Sequence, residues 1–304
     1  MTERYDVAVI GAGPAGLAAA LSLVRARRRV LLLDSNRPRN AATLSAHGFI
    51  TRDGISPLEL RKLGAEEVAG YPGATVLRTL VRALSPDAEG GFIVQAESPG
   101  TDAPTEALAT SVVIATGLTE TLPALPSLRA FYGTSIHSCI ECDGWEERSA
   151  PLALIGETDD LAERALHLAN WSDDIIVFTN GVGRVSDADQ VRLRARGIRV
   201  DRRAIADVTG DREGLSGIVL ADGETVARTA GFIRPIWTAS LGFADTLDLA
   251  RDAEGLLAVD ADGRTSVPGV YAAGDVTPPG PQQLIIAAGD GARVAMTVLR
   301  DLAA

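Results

Sequence analysis

The sequence predicts an α/β protein built from two Rossmann-like, three-layer (ββα/αβ) domains, with the second inserted into the first. Two strand–turn–helix units support this prediction, one at the start of the chain and one that begins at Leu152. Length is a third observation, because 304 residues exceed what one hydrophobic core usually serves. We expect residues 1–117 and 245–304 to form a discontinuous first domain, and residues 118–244 to form the inserted one.

The N-terminal unit carries a glycine pattern typical of dinucleotide binding. An apolar run at 7–10 precedes Gly-Ala-Gly-Pro-Ala-Gly at 11–16, a helical segment from Leu17 to Arg27, and a second apolar run at 30–33 that ends on Asp34. In such a pattern the glycines allow a tight turn, close approach of a pyrophosphate and close helix–strand packing, while the terminal acid binds a ribose. The predicted dinucleotide-binding residues here are Gly11, Gly13, Pro14, Ala15, Gly16, Asp34 and Ser35.

Two later strands end in small or acidic residues that suit the same site. The apolar run at 112–114 is followed by Ala115, Thr116 and Gly117, and the run at 270–273 is followed by Gly274 and Asp275. Carboxyl ends of parallel strands meet at one edge of a sheet, where ligands of α/β proteins bind. A plain strand-end turn is the alternative interpretation for Asp275.

The only two cysteines of the chain, Cys139 and Cys142, stand in one Cys-x-x-Cys motif. Such a pair serves as a redox disulfide, forms half of a metal site, or has no function. A closed zinc site needs about four ligands, and the local supply is limited to the two cysteines with His137 or Asp143. We therefore favour the redox interpretation and predict no metal.

The redox interpretation has a mechanical basis. A first cysteine that opens a helix meets free backbone N–H groups and the positive end of the dipole, which lowers the pKa of its thiol. The second thiol, one turn later, is close enough to close a small ring. Asp143 follows directly and could exchange the proton that thiol–disulfide exchange requires; support of the turn at Gly144 is the alternative.

The second strand–turn–helix unit lacks the glycines of the first. Apolar strands are predicted at 152–156 and 175–178, but Gly156 is followed by Glu157, Thr158, Asp159 and Asp160. Three carboxylates at a helix start would repel a diphosphate, and we expect Arg184 to be the only nearby cation. We predict that this domain keeps the fold and lacks the NADPH site.

Loops and peripheral segments give weaker predictions. The polar loop at 45–54 is expected to close over the dinucleotide, and its His47 is a candidate for facing that cofactor or the substrate, with a surface or packing role as the alternative. A helix is expected from Pro57 to Gly70. Residues 85–106, rich in turn formers, predict hairpins on a small antiparallel sheet.

Composition excludes several classes of partner. The net charge of −11 argues against nucleic acid and anionic membranes. No apolar run has the length of a membrane span. The chain enters a strand almost at once, so we expect no signal peptide. A single Cys-x-x-Cys without other cysteines suits a reducing cytoplasm.

Taken together, the motifs resemble the low-molecular-weight thioredoxin reductases over essentially the full chain. The features that carry the resemblance are the glycine turn at 11–16, Cys139-Ile-Glu-Cys142-Asp143-Gly144, Gly274-Asp275 and the segment 281–292. The resemblance implies a homodimeric flavoprotein with two dinucleotide-binding domains and bound FAD. It also implies that Cys139 and Cys142 exchange electrons with FAD, that Asp143 is the acid/base, that Asp275 binds the ribityl chain, and that Gln282 and Gln283 neighbour the flavin.

The departures from that family suggest a branch that lost NADPH. Residues 47–54, 144–146 and 170–174 look like the dithiol oxidases of dithiolopyrrolone and epidithiodiketopiperazine pathways, which close a disulfide in a small molecule and pass electrons through FAD to dioxygen. Many of those enzymes carry His after the Cys-x-x-Cys, whereas this chain has Asp143. We predict a dithiol oxidase; the alternatives are a thioredoxin reductase fed by another donor such as ferredoxin, and an NADPH-dependent thioredoxin reductase.

Overall fold

The computed structural model describes residues 3–97, 105–278 and 280–304. The strands are, in chain order, β1 (Glu3–Ile10), β2 (Val30–Asp34), β3 (Ala74–Arg78), β4 (Leu80–Pro86), β5 (Phe92–Glu97), β6 (Thr105–Ile114), β7 (Thr119–Thr121), β8 (Ile136–His137), β9 (Leu152–Gly156), β10 (Ile175–Phe178), β11 (Arg199–Asp201), β12 (Ile205–Asp211), β13 (Gly214–Leu220), β14 (Thr225–Ala227), β15 (Ala230–Arg234), β16 (Ile236–Thr238) and β17 (Val270–Ala272). The α-helices are α1 (Pro14–Arg25), α2 (Pro57–Ala69), α3 (Leu128–Phe131), α4 (Ile140–Asp143), α5 (Leu161–Leu168), α6 (Asp187–Ala195) and α7 (Leu284–Asp301), and short 3-10 helices span Arg39–Ala42 and Gly242–Leu247.

The chain forms two compact units. The first comprises Met1–Ala41, Gly48–Thr119 and Trp237–Ala304, and the second comprises Ala42–His47 and Glu120–Ile236. Each unit holds parallel strands and helices, so the predicted α/β class with two Rossmann-like domains is confirmed.

The sheet of the first unit has the strand order β3-β2-β1-β6-β5-β4, with β17 beside the second half of β6. Neighbours are parallel from β3 to β6 and for β17, while β4, β5 and β6 pair antiparallel. Separate buried clusters cover the two faces of this sheet. Burial on both faces explains why β1 and β2 have continuous apolar runs instead of alternating patterns.

Helix α1 is displaced by a few residues from its predicted position. It begins at Pro14, three residues before Leu17, because proline suits the first turn of a helix, where its missing N–H is not needed. It ends at Arg25 because Arg27 is left-handed with φ +64°.

The predicted hairpins at 85–106 are found in part. Strands β4 and β5 are joined by a turn in which Gly90 and Gly91 have φ values of +99° and +88°. The predicted antiparallel pairing is confirmed for β4, β5 and β6, but these strands belong to the seven-stranded main sheet and not to a small one. The second predicted turn lies largely outside the described residues.

The second unit contains a five-strand sheet in the order β11-β10-β9-β15-β8, in which neighbouring strands run parallel. Strands β12, β13 and β14 form an antiparallel sheet. Two buried clusters form the core of the second unit, and one of them includes residues of α5 together with Ile140. Within residues 3–97, 105–278 and 280–304, no helix is both long and apolar enough to cross a bilayer.

Candidate active site

The glycine turn between β1 and α1 has one role for each glycine. Gly11 has φ +107°, and a Cβ there would lie 2.3 Å from the Ala115 carbonyl oxygen. A Cβ on Gly16 would lie 1.8 Å from the Gly11 oxygen, whereas a Cβ on Gly13 would meet nothing within 4 Å. Gly11 and Gly16 are therefore required by packing, and Gly13 leaves open space above the turn.

The space above Gly13 belongs to a groove at the start of α1. No acidic residue lies in the first turn of α1, so its free N–H groups and the positive end of its dipole can meet an anion. Of the predicted cofactor residues, those that line the groove are Gly11, Gly13, Pro14, Ala15, Asp34, Ser35, Ala115, Thr116, Gly117, Gly274 and Asp275.

Three predicted residues do not line this groove. Gly16 packs beneath the turn, and Gln283 is the residue that precedes α7, with Gln282 before it. From α7 itself, Leu284 and Ala287 reach the groove instead.

Arginines that the motif analysis did not assign also line the groove. Arg61 on α2 donates to Asp34 Oδ2 at 2.7 Å, and the other oxygen of Asp34 accepts from the Asn36 backbone. Arg39 donates to Asp275 Oδ2 at 2.7 Å. Burial raises the pKa of Asp275, while the charge of Arg39 acts in the opposite direction. A cation count in the loops would have identified Arg39, but no pattern singles out Arg61 within α2.

In the second unit, Cys139 and Cys142 form a disulfide with an S–S distance of 2.04 Å. Cys139 is the N-cap residue of α4, and its Sγ accepts from the backbone N–H of Cys142 at 3.2 Å. The predicted helix start at the first cysteine is thus present. The two sulfurs are bonded to each other, and among the described residues no cluster of three or more His, Cys, Asp or Glu side chains could hold a metal ion.

Each of the chain's three histidines lies against an acid of the segment 141–147. His167 Nε2 is 2.8 Å from Glu141 Oε1, and His47 Nε2 is 3.7 Å from Glu146 Oε1. His137 lies between two acids, with Nδ1 3.3 Å from Asp143 Oδ1 and Nε2 3.4 Å from Glu147 Oε1.

The buried members of this cluster have shifted pKa values. Burial raises the pKa of Asp143, and the charges of His137 and His47 offset only part of that rise. Burial lowers the pKa of His137, but the contact with Glu147 and the charges of both acids outweigh it, so the net shift is upward. Asp143 is predicted by its place after the Cys-x-x-Cys motif, and His137 is suggested by the sequence only as a metal ligand. Nothing in the local sequence distinguishes Glu147.

The turn between β9 and α5 is filled by protein atoms. A Cβ on Gly156 would lie 2.7 Å from Leu161 Cδ2, and one on Gly183 would lie 3.0 Å from the Thr158 carbonyl oxygen. Leu161, the first residue of α5, is fully buried. Asn180 closes the loop by donating to Glu157 and accepting from the Ile205 backbone N–H.

The expectation that Arg184 is the only nearby cation was wrong. Arg234, at the end of β15, donates to Asp160 Oδ2 at 2.7 Å. Burial raises the pKa of Asp160, but hydrogen bonds from Thr158 and Arg234 outweigh it and hold the pKa below its usual range. The sequence could not reveal this ion pair, because 74 residues separate its partners and only the pairing of β15 with β9 brings them together.

A comparison with known families matches residues 5–291 to the pyridine nucleotide-disulphide oxidoreductases. The chain belongs to this family. It is 30% identical to the thioredoxin reductase of Streptomyces coelicolor over 321 aligned residues, covering all of this chain and 96% of that protein. Thioredoxin reductase-like members of the family use FAD, so this chain is an FAD-dependent disulfide oxidoreductase.

Solved structures of the family superpose on the whole chain. The protein assigned as thioredoxin reductase TrxB of Bacillus anthracis is 37% identical, with 98% of each chain covered and a TM-score of 0.90. The structure of HlmI is 35% identical, with 100% of this chain and 94% of that chain covered and a TM-score of 0.91.

The groove in the first unit fits the FAD of this family. The Gly13 position leaves the space that a pyrophosphate would need, and the N–H groups of α1 face it. Thr116 Oγ1 is buried at the groove without a hydrogen-bond partner among the described residues. A buried hydroxyl in that state is costly unless a ligand satisfies it. The residues present therefore suit a bound dinucleotide.

Proposed function

We propose that this chain is a dithiol oxidase that uses FAD and dioxygen and does not use NADPH. A substrate thiolate attacks Cys139 Sγ, the Cys139–Cys142 bond breaks, and Cys142 leaves as a thiolate. The second substrate thiol loses its proton and attacks the mixed disulfide, which releases an oxidised substrate and the enzyme dithiol. FAD, which the groove lined by Gly13, Asp34 and Asp275 would hold, would supply the two-electron acceptor for that dithiol and the route to dioxygen. The balance is one dithiol and one dioxygen consumed for one disulfide and one hydrogen peroxide.

In this proposal the first unit holds FAD and the second carries the thiol chemistry. Residues 1–117 and 245–304 correspond to the FAD domain, and residues 118–244 to the central domain. Cys139 is the exchange sulfur and Cys142 the sulfur closer to the flavin. Asp143 is the acid/base, which its raised pKa favours because the carboxyl keeps its proton closer to neutral pH.

The NADPH-independent part of the proposal is supported by one observation, the residues that form the β9–α5 turn. The first turn has glycines at all three positions of the pattern, and Gly13, the second, has open space beside it. Here Gly156 keeps the first position, while Thr158 and Leu161 stand at the second and third. A pyrophosphate needs close approach to backbone N–H groups at the helix start. With Thr158 and Leu161 at the second and third positions, this turn lacks the glycines that allow that approach.

The Asp143 position favours a second candidate, which runs in the reducing direction. The Streptomyces coelicolor relative is named a thioredoxin reductase, and Asp after the Cys-x-x-Cys is the residue that the resemblance to thioredoxin reductases implies. The acceptor would then be a thioredoxin-like disulfide, with ferredoxin as donor, or with NADPH if the turn opens. Either candidate is compatible with a cytoplasmic homodimer, which we also propose.

The experiment that tests the proposal is anaerobic mixing of the FAD-loaded protein with NADPH and, separately, with dithiothreitol, while flavin absorbance is followed. Bleaching by dithiothreitol alone, with colour and hydrogen peroxide appearing when air is admitted, is the expected result. Rapid bleaching by NADPH would overturn the NADPH-independent assignment. Bleaching by dithiothreitol without reoxidation in air, but with transfer to thioredoxin, would favour the second candidate.

A further inference from the structure

His137 bridges two carboxylates beside the redox disulfide. It lies on β8, whose residue pairs are Ile136 with Gly231 and His137 with Phe232 of β15. Its side chain is 9% exposed, and its ring centroid is 6.0 Å from that of Phe232. The backbone and the aromatic neighbour therefore fix the imidazole, with one nitrogen toward Asp143 and the other toward Glu147.

The two carboxylates differ in exposure. The Asp143 side chain is 13% exposed and that of Glu147 is 21% exposed. Asp143 directly follows Cys142, whereas Glu147 lies in the turn after α4, where its backbone N–H donates to the Asp143 carbonyl oxygen. An imidazole can take a proton at one nitrogen and release one at the other. The order Glu147, His137, Asp143 thus leads from the more exposed acid to the acid beside the disulfide.

We propose that His137 is a positioning residue that sets the protonation of Asp143 and exchanges its proton with Glu147. This inference deepens the proposed function, and it rests on the part of that function in which Asp143 is the acid/base. The step itself moves one proton from Glu147 to His137 Nε2 and one from Nδ1 to Asp143, so charge and protons balance without another reactant.

Other charged groups near Asp143 and His137 also affect the pKa values of these two residues. Asp143 is influenced by His47, Glu146 and Glu147 in addition to His137. His137 is influenced by Asp143 and Glu147, and by a backbone hydrogen bond with Thr134. Because His47 acts on Asp143 in the same direction as His137, removal of His137 alone leaves part of the positive charge in place.

The first test measures the pH dependence of disulfide reduction in the holoenzyme. Dithiothreitol is added anaerobically to the holoenzyme with its FAD oxidised. The electrons delivered are counted as free cysteine thiols, measured by alkylation and mass spectrometry of quenched samples, plus reduced flavin, measured by absorbance. His137→Asn keeps a donor near Asp143 but carries no charge. We expect the limb of the rate profile assigned to Asp143 to move up by about one pH unit, since a carboxyl that loses a neighbouring cation keeps its proton to higher pH.

His167→Asn is the matched control, because His167 pairs with Glu141 of the same segment but has a 45% exposed side chain and is not among the groups that shift Asp143. Its profile should coincide with that of the wild type. A His137→Asn profile that is lowered equally at every pH would show a merely structural role and overturn the inference.

A second test remains informative if His137→Asn fails to fold. With only three histidines, ¹³Cε1-labelled protein gives three NMR titration curves. We expect the His137 curve to lie above the ordinary value and to move to lower pH in Glu147→Gln, while the His47 and His167 curves stay in place. An unchanged His137 curve contradicts the proposal. Neither test uses dioxygen or NADPH, so a failure of the oxidase assignment is distinguishable from a failure of this one.

Discussion

Arg234 Nε donates to Asp160 Oδ2 at 2.7 Å, next to the turn where a nicotinamide dinucleotide would lie in an enzyme that binds one. This ion pair neutralises one of the three acids on which the sequence-based argument against NADPH relied. The absence of the second and third glycines, whose positions Thr158 and Leu161 occupy, then becomes the stronger argument. If the charge of the acids were the barrier, neutral substitutions would restore the reaction with NADPH. If the missing glycines are the barrier, neutral substitutions would not restore it.

The triple variant Glu157→Gln, Asp159→Asn, Asp160→Asn should remain unreactive with NADPH. Removal of the charges leaves Thr158 and Leu161 in place, so the glycines that let a pyrophosphate approach the helix N–H groups are still absent. Flavin absorbance is followed by anaerobic stopped-flow with about 1 mM NADPH, roughly a thousandfold above a micromolar Kd. The thermal midpoint of the variant serves as the folding control. Flavin bleaching in the variant but not in the wild type would show that charge was the barrier.

Gly11→Ala and Gly13→Ala should separate folding from cofactor binding. At Gly11 the φ of +107° and the contact with the Ala115 oxygen predict a loss of about 1–3 kcal/mol in unfolding free energy. At Gly13 the backbone is extended and a Cβ meets no protein atom, so the apoprotein should lose no more than about 1 kcal/mol.

The Gly13→Ala protein should nevertheless hold FAD at least tenfold more weakly, equivalent to about 1.4 kcal/mol, because its methyl group occupies the space left for the pyrophosphate. Urea unfolding of the apoproteins and FAD titration by flavin fluorescence measure the two effects. Equal FAD affinity in Gly13→Ala and wild type would contradict the assignment of this groove as the pyrophosphate site.

Single serine variants of the two cysteines should give different flavin spectra. Both abolish turnover, since neither can form the disulfide. In Cys139→Ser the remaining Cys142 thiolate, if it is the sulfur closer to the flavin, should produce a long-wavelength charge-transfer band that is lost on acidification. Cys142→Ser should show no such band. The opposite pattern would reverse the assignment of exchange and flavin-proximal sulfurs.

Asp301→Asn should reduce stability by its full amount above pH ~4, where an ordinary aspartate is ionised, and by progressively less as the pH falls to about 2. Arg264 and the Tyr271 hydroxyl bind the Asp301 carboxylate and, against a smaller effect of burial, lower its pKa to about 2. A lowered pKa gives stability that is present above the unfolded-state value and disappears as the pH falls through the folded-state value.

The loss in Asp301→Asn should stay below about 1 kcal/mol, because the pair is partly exposed and screened by solvent. Unfolding midpoints from pH 2 to pH 8 test this, and wild type and variant should converge near pH 2. A difference that is constant across the whole range would mean that the carboxylate charge does not matter.

Features that depend on neighbours in the sequence were predicted well. Gly11, Gly13 and Gly16 define the first turn because strand, turn and helix are consecutive, and Cys139 and Cys142 are one helical turn apart. Helix α1 was misplaced by a few residues because the effect of Pro14 at a helix start was not used and the left-handed Arg27 has no sequence signal.

The sequence by itself therefore determined the α/β class, the dinucleotide turn and the redox motif, since each arises from local spacing. Only the tertiary structure decided which distant side chains meet: Arg61 at Asp34, Arg234 at Asp160, and His137 between Asp143 and Glu147. Such contacts depend on strand pairing and helix placement across dozens of residues. A single sequence carries no local pattern for them, because charge and burial at each position are set by partners that are remote in the chain.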